Sequence, residues 1–168
     1  MRAGRDERAR VRGAQRGSAS DLEALFRTHW PRAFRAAYLV THDAGAAEDI
    51  AQESLLAAIR ALDRFDRRRP FGPWLHRIVV NRAIDWTRAR KLRGEVELVD
   101  SMPAPETAPG GGETLAALAN LSPEHRAVVV MRYLLEFTPG EIAEALDLPR
   151  GTVNSRLRRG LDALGEEL

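Results

Sequence analysis

A segment near the middle of the chain separates two stretches that show the hydrophobic periodicity of helices. Residues 94–113 contain three prolines, a run of three glycines and several acidic residues, with no basic residue. Proline and glycine interrupt regular elements, and this composition is typical of a flexible linker. We therefore predict two folded units in the 168 residues, a length that suffices for two small helical domains.

Composition indicates the structural class of both units. Ala, Leu, Arg and Glu dominate, hydrophobic residues make up 44% and aromatic residues only 6%, which favours an all-α fold. The absence of cysteine excludes a disulfide framework and thiolate metal sites. No apolar run approaches the roughly 18 residues of a membrane span, and the N-terminus has no apolar signal core. We expect a cytoplasmic protein with no membrane insertion.

The ends of the helices are marked by capping residues. Residues 1–19 are polar, basic and interrupted by glycine, so we predict a disordered basic extension. Ser20 with Glu23 has the spacing of a capping box and should start a first domain covering 20–93. Pro31 should open a second helix there, because proline fits a first turn. The second domain is expected at 114–168.

The net charge of +2 is unevenly distributed. Residues 1–20 carry about +4, 21–93 about +5, 94–113 about −5 and 114–168 about −2. This asymmetry suggests that different segments meet different partners, and the basic first half points to nucleic acid. An arginine-rich surface that is merely solvated is the alternative.

Residues 46–63 form a strongly amphipathic pattern. An apolar stripe includes Ile50 and Leu55, and a polar group lies on the opposite side, because positions i, i+1, i+4 and i+5 are neighbours on a helix. The polar group consists of Glu48, Asp49, Gln52 and Glu53. Such a face can be solvated or can meet a basic protein partner, and both interpretations remain open.

Residues 64–93 combine arginines with aromatic residues, first in a loop over 64–73 and then on a helix over 74–93. Cations hold a phosphate backbone, aromatic faces receive unstacked bases, and an Asn can hydrogen-bond the edge of a base that has left the duplex. The candidate residues are Arg64, Phe65, Arg67, Arg68, Phe71, Trp74, Asn81, Arg82, Asp85 and Arg88. The alternative places Trp74 and Trp86 in the core, with the arginines serving solubility.

Residues 138–161 have the proportions of a helix-turn-helix, with Thr138 as a cap and a turn at Asp147. In the last helix, Val153, Leu157, Leu161 and Leu164 should face inward. The other side suits a major groove, where Arg pairs with guanine and Asn with adenine, and the first amides can hold a phosphate. The candidates are Arg150, Thr152, Asn154, Ser155, Arg156, Arg158 and Arg159. The alternative is an ordinary helical hairpin whose arginines are simply exposed to solvent.

Several of these stretches, taken together, resemble a known family. Residues 47–53 (AEDIAQE) are similar to the polymerase-binding motif of extracytoplasmic-function (ECF) sigma factors, and 74–85 (WLHRIVVNRAID) to their promoter-melting helix. Residues 121–126, 141–144 and 151–157 resemble the second domain of that family. The resemblance covers residues 21–165 in order. It implies a region 2-like helical bundle and a region 4-like helix-turn-helix domain.

The resemblance also implies roles and partners. Asp49, Gln52 and Glu53 would dock on the β′ clamp helices of core RNA polymerase, and the β flap of the polymerase would be a further partner. The 64–72 loop and Asn81 would capture a flipped base of the −10 promoter element, and the last helix would read the −35 element. The linker would thread towards the active cleft, and an anti-sigma factor would be a further partner. Asn154 departs from the family pattern, which often has Lys or Arg there.

The sequence also suggests two other classes of function. A stand-alone helix-turn-helix regulator would explain the last helix but not the acidic helix or the aromatic, basic region. An enzyme is disfavoured because the four histidines are scattered without the i, i+4 spacing of a metal pair, and no glycine-rich phosphate loop follows a strand. We therefore predict no catalytic residue, cofactor or metal.

Overall fold

The computed structural model describes residues 2–94 and 111–167, and every regular element in these ranges is helical. This confirms the predicted all-α class. The helices are α1 (Arg2–Gln15), α2 (Ala19–Thr41), α3 (Ala44–Arg60), α4 (Phe71–Leu92), α5 (Gly111–Asn120), α6 (Pro123–Tyr133), α7 (Pro139–Leu146) and α8 (Arg150–Glu167), with a short 3-10 turn at Leu62–Arg64. Helices α1 to α4 form the first unit and α5 to α8 the second.

Helix α1 shows that the prediction of disorder over residues 1–19 is wrong. The helix packs on α2, and its Val11 side chain is buried in the core. Gly13 permits this close approach, because a β-carbon there would collide with the carboxylate of Asp21. Gly17 then turns the chain into α2 with a φ of +88°. The glycines that suggested disorder therefore serve packing and a turn, and tertiary contacts stabilise a helix that has no clear local pattern.

Helix α2 runs through Pro31 without a break, so the prediction of a second helix starting there is wrong. Its N-cap is Ser18, which accepts a hydrogen bond from the Asp21 N–H at 3.3 Å; the expected cap at Ser20 was two residues late. Proline removes one N–H from the helical ladder. The fully buried Ala33 and its neighbours on the same helix pack into the core, which offsets that loss.

Helix α4 begins at Phe71, three residues before its predicted start at Trp74. Pro73 lies in its first turn, where a missing N–H costs no helical bond. The loop predicted over 64–73 is therefore reduced to residues 65–70, between the 3-10 turn and α4.

Two helices of the second unit begin with a side-chain cap, and the cap at Thr138 was predicted. Ser122 and Thr138 accept hydrogen bonds at the starts of α6 and α7, and Thr138 forms a capping box with Glu141. Asp147 ends α7 in the left-handed region at φ 53°, and α8 starts at Arg150. Helices α7 and α8 are thus the predicted helix-turn-helix. Its core includes the buried residues Val128, Val130, Met131, Ile142 and Val153.

The two units pack against each other. Helix α6 lies on α2 and α4, and one cluster of buried side chains continues from the first unit into the second. Arg32 on α2 donates from Nε (3.2 Å) and Nη2 (2.5 Å) to the backbone oxygen of Leu134, and Nη2 is 3.4 Å from the Glu136 carboxylate. The flexible linker was predicted over 94–113; residues 95–110 of it lie outside the described residues, and its last residues belong to α5.

Candidate functional site

The acidic face of α3 lies in solvent as predicted. Glu48, Asp49, Gln52 and Glu53 are all exposed, while Ile50 and other residues of the opposite side are buried. We call these four residues the acidic face. The helical repeat alone places them together, because they are separated by one, four and five positions.

Sequence reasoning missed an apolar neighbour of the acidic face. Leu56 is 43% exposed and follows Gln52 by four positions and Glu53 by three, so it lies beside them on α3. The spacing of Leu56 from Gln52 and Glu53 is enough to place it next to the acidic face, outside the apolar stripe of the same helix. An exposed leucine flanked by acids suits a protein partner better than DNA.

An ion pair connects the acidic face to α4. Arg82 Nη1 lies 3.3 Å from Glu53 Oε2, and both side chains are largely exposed. A pair of this kind contributes about 0–1 kcal/mol to stability. The pair therefore stabilises the fold little, but it shows that the acidic face lies next to Arg82, one of the residues predicted to bind DNA.

The end of the 3-10 turn and the loop that follows it present a cluster of cations. Arg64, Arg67, Arg68 and Arg69 are all exposed. Asp66 accepts bonds from the backbone N–H and the Nε of Arg68, both at 3.0 Å, so the loop turns tightly at this point. The hydrogen bond from the Arg68 side chain lowers the pKa of the Asp66 carboxyl and raises the pKa of the Arg68 guanidinium. These four arginines are the loop arginines.

The aromatic residues around the loop form a cluster among themselves. Phe65 and Phe71 are 8% and 3% exposed, and the Phe65 ring lies 4.6 Å from the ring of the half-buried Trp74. Phe71 also contacts the His29 ring at 5.2 Å. In this conformation neither phenylalanine can stack on a base, so the prediction that both contact DNA directly is not supported. They instead line a shallow cleft together with Arg67 and Arg69.

Helix α4 carries the remaining predicted residues on one side. Arg82, Asp85 and Arg88 are exposed and Asn81 is half-buried, at spacings that bring them to a single face. The Asn81 side-chain amide donates to the backbone oxygen of Arg77 at 2.9 Å and to that of Ala145 in the second unit at 3.0 Å. Asn81 is therefore engaged by α7 when the two units are packed.

Helix α8 shows the expected polar side. Arg150, Asn154, Arg158 and Arg159 are exposed, and Thr152, Ser155 and Arg156 are half-buried. Burial, followed by the charges of Arg156 and Arg159, lowers the pKa of His125 on α6.

The inward side of α8 needs one correction. Val153 and Leu157 are buried as predicted, but Leu161 is 41% exposed. Gly160 takes the inward position, where a β-carbon would lie only 2.9 Å from Val129 Cγ2 of α6. The tight contact between α6 and α8 therefore depends on a residue without a side chain.

The described ranges offer little else of chemical interest. Across residues 2–94 and 111–167 there is no group of three or more His, Asp or Glu side chains placed to hold a metal ion. In the same ranges no helix has the length and apolarity to cross a membrane. The three polar surfaces described above are the features that a function must explain.

Comparisons with known proteins identify the family to which both units belong. The family profile described as Sigma-70 region 2 matches residues 25–93, and that of Sigma-70, region 4 matches 112–164. The chain is 36% identical over 165 residues to the ECF RNA polymerase sigma factor SigL of Mycobacterium tuberculosis, covering 93% of each chain. It is 29% identical over 177 residues to SigW of Bacillus subtilis, covering 95% of each.

Solved structures show the same fold. The sigma factor RpoE of Bartonella quintana, in complex with the anti-sigma factor NepR, matches with a TM-score of 0.76 at 22% identity, over 89% of this chain and 97% of that one. CnrH in complex with the cytosolic domain of CnrY matches with a TM-score of 0.68 at 24% identity, over 95% of each chain. The chain therefore belongs to the ECF group of sigma-70 RNA polymerase sigma factors, which direct core polymerase to promoters and initiate transcription.

Proposed function

We propose that the three exposed polar surfaces divide the work of promoter recognition. The acidic face docks on the β′ clamp helices of core RNA polymerase, and the second unit meets the β flap. The loop arginines and the α4 face hold the −10 element, and α8 reads the −35 element. The observation that carries this proposal is the segregation of charge: one acidic face, with an exposed leucine beside it, adjoins the arginine-bearing face of α4, and a separate arginine surface lies on α8.

The chain contributes no catalytic group to RNA synthesis in this proposal. Its share is binding and positioning, and the chemistry belongs to the polymerase. It therefore acts in the cytoplasm, with the polymerase and the promoter. An anti-sigma factor is a further proposed partner, because the structural neighbours RpoE and CnrH are each bound by another protein, in the case of RpoE a named anti-sigma factor.

Asn81 is the residue proposed to capture a flipped base of the −10 element. Its amide already donates to a backbone oxygen of the second unit, so a donor of suitable geometry is present on the face that carries Arg82. A base edge can replace the Ala145 oxygen once the units separate. Opening the promoter costs about 1.4 kcal/mol of stacking per step, and a bound base offsets part of that cost.

Promoter opening tests this role of Asn81. Asn81→Ala should leave closed-complex formation almost intact but reduce the permanganate reactivity of −10 thymines, because the flipped base loses its partner. A template melted in advance by mismatches should rescue the defect. Asn120→Ala, the same change on exposed surface in α5, is the matched control. Equal loss in both assays without rescue would remove Asn81 from strand opening.

Charge reversal tests the acidic face. Asp49→Lys together with Glu53→Lys should weaken binding to core polymerase while the far-ultraviolet circular dichroism stays unchanged, because exposed residues leave the core intact. Asp162→Lys, an exposed acid on α8, is the control. Binding of core polymerase by the double variant at the level of the control would refute the docking assignment.

Substitution in α8 tests the −35 surface. Arg158→Ala or Arg159→Ala should cost about 1–3 kcal/mol at a promoter where the arginine pairs with a guanine, and less where that guanine is replaced. An arginine that touches only phosphate should weaken all promoters alike and flatten the salt dependence. Arg60→Ala on α3 is the control. Unchanged transcription from every promoter would exclude both residues from the interface.

A further inference from the structure

Helix α1 contacts the first end of the loop that carries the arginines. The side-chain amide of Gln15, the last residue of α1, donates from Nε2 to the backbone oxygen of Leu62 at 2.8 Å and to that of Phe65 at 3.4 Å. These oxygens belong to the 3-10 turn and to the residue that follows it. Gln15 thus holds the point at which the loop leaves the turn, although 47 residues separate it from Leu62.

The same helix also contacts the other end of the loop. The hydrogen bond with His29 and, to a smaller extent, the nearby backbone N–H of Phe71, the first residue of α4, lower the pKa of the Glu7 carboxyl. The N-cap of α4 is Pro70, which offers no side-chain cap of its own. A carboxylate at a helix N-terminus satisfies a free N–H and complements the helix dipole. Glu7 therefore places a carboxylate beside the N-terminus of α4, where it lines the same cleft as Phe71.

A buried neighbour fixes the position of Glu7. His29 on α2 lies 2.8 Å from Glu7 Oε1, with side chains that are only 10% and 24% exposed. The His29 ring packs against the Phe71 ring, and a β-carbon on Gly72 would lie 3.2 Å from His29 Cε1. The Glu7 carboxylate is therefore held between α2 and the first turn of α4.

We propose that α1 is a brace that clamps both ends of the 65–70 loop and so presents the loop arginines to the −10 element. Gln15 and Glu7 are positioning residues in this account, since neither touches DNA. Arg8 of α1 lines a shallow cleft together with Arg67 and Arg69, so the brace lies directly beside the cations that it orients. The inference rests on the proposed role of this surface in opening the promoter.

The brace explains why a loop of exposed, mutually repelling cations can have a defined shape. Four arginines within six residues repel each other, and Asp66 offsets only part of that repulsion. A loop free at either end would sample many arrangements before binding, and ordering them would reduce the rate of opening. Fixing both ends removes part of that cost in advance.

The test uses the full chain with core polymerase. Gln15→Met keeps the length and packing of the side chain but removes the donor, and Glu7→Ala removes the carboxylate that pairs with His29 beside the N-terminus of α4. Arg10→Ala is the matched control, because it removes an α1–α2 contact to Thr28 (3.4 Å) without touching the loop. We expect core binding and closed-complex formation within about twofold of the control, and opening at −10 thymines slower by about five- to tenfold. A mismatched −10 template should restore the control rate.

Amide hydrogen exchange separates a positioning role from a general loss of stability. In Gln15→Met the amide exchange of residues 65–69 should quicken by about tenfold relative to Arg10→Ala, while exchange in α3 stays the same. Opening at the control rate by both variants would overturn the brace. So would a parallel loss of core binding, closed complex and opening, because that is the result of a destabilised fold.

A parallel variant separates failure of the brace from failure of the proposed function. If Asn81→Ala fails to open promoters while Gln15→Met and Glu7→Ala open them normally, only the brace is wrong. If Asn81→Ala also opens them normally, the assignment of this surface to strand opening is itself wrong.

Discussion

The packing of the two units depends in part on Arg32, and Arg32→Ala should weaken it measurably. A hydrogen bond from a charged group contributes about 1.5–3 kcal/mol when well buried. The Arg32 side chain is 46% exposed, so we take about 1–2 kcal/mol for its bonds to the Leu134 oxygen. The Glu136 carboxylate is 79% exposed and adds a few tenths at most. The freed oxygen of Leu134 can be solvated, so no further penalty arises.

The expected consequence is a shift in the equilibrium between packed and separated units. A change of about 1.4 kcal/mol corresponds to tenfold in an equilibrium constant. The chain contains no cysteine, so cysteines introduced at the exposed positions Arg60 and Asp162 can be labelled without background. Energy transfer between the labels, followed in urea, reports separation, and far-ultraviolet circular dichroism reports unfolding. With a slope near 1 kcal/mol/M, Arg32→Ala should lower the separation midpoint by about 1 M or more.

Arg35→Ala supplies the control, since Arg35 is an exposed arginine on the same helix. Asn81→Ala should lower the separation midpoint less than Arg32→Ala, because its bond to the Ala145 oxygen is neutral and contributes about 1 kcal/mol. A separation midpoint for Arg32→Ala equal to that for Arg35→Ala would refute the reasoning. It would mean that apolar packing between α2 and α6 alone holds the units together.

Three further expectations concern stability. Burial, with a smaller effect of nearby charges, lowers the pKa of His76 from 6.5 to about 4. About 3 kcal/mol of stability that is present above pH 6.5 should therefore be lost as the pH falls towards 4. Urea unfolding at pH 7 and 4.5 measures this loss, and His76→Phe should make the free energy of unfolding less dependent on pH. Thr138→Ala should lower the free energy of unfolding by about 1 kcal/mol through the lost cap, and an unchanged urea midpoint would contradict this. Gly160→Val should cost about 1–3 kcal/mol by crowding Val129, whereas Gly165→Val, in open space on the same helix, should cost clearly less in thermal melts.

Prediction from the sequence succeeded where a signal is local. The cap at Thr138, the turn at Asp147 and the exposed acidic face all depend on residues within one or two helical turns of each other. It failed at Pro31. The preference of proline for a first helical turn favoured a new helix there, but tertiary packing maintains a single helix through this residue. The aromatic residues near the loop were ambiguous for a similar reason, because the sequence does not distinguish a phenylalanine such as Phe65 that stacks on a base from one that packs in the core.

The sequence by itself therefore determined the all-α class, the main helical faces, the three polar surfaces and the membership of the family. These features follow from the 3.6-residue repeat and from side chains that bond their own backbone neighbours. Only the tertiary structure decided that α1 is a helix, that Phe65 and Phe71 are buried and that Asn81 meets Ala145. Contacts such as Gln15 to Leu62 join residues far apart in the chain. Their free energy depends on how whole helices pack, and no local pattern encodes that.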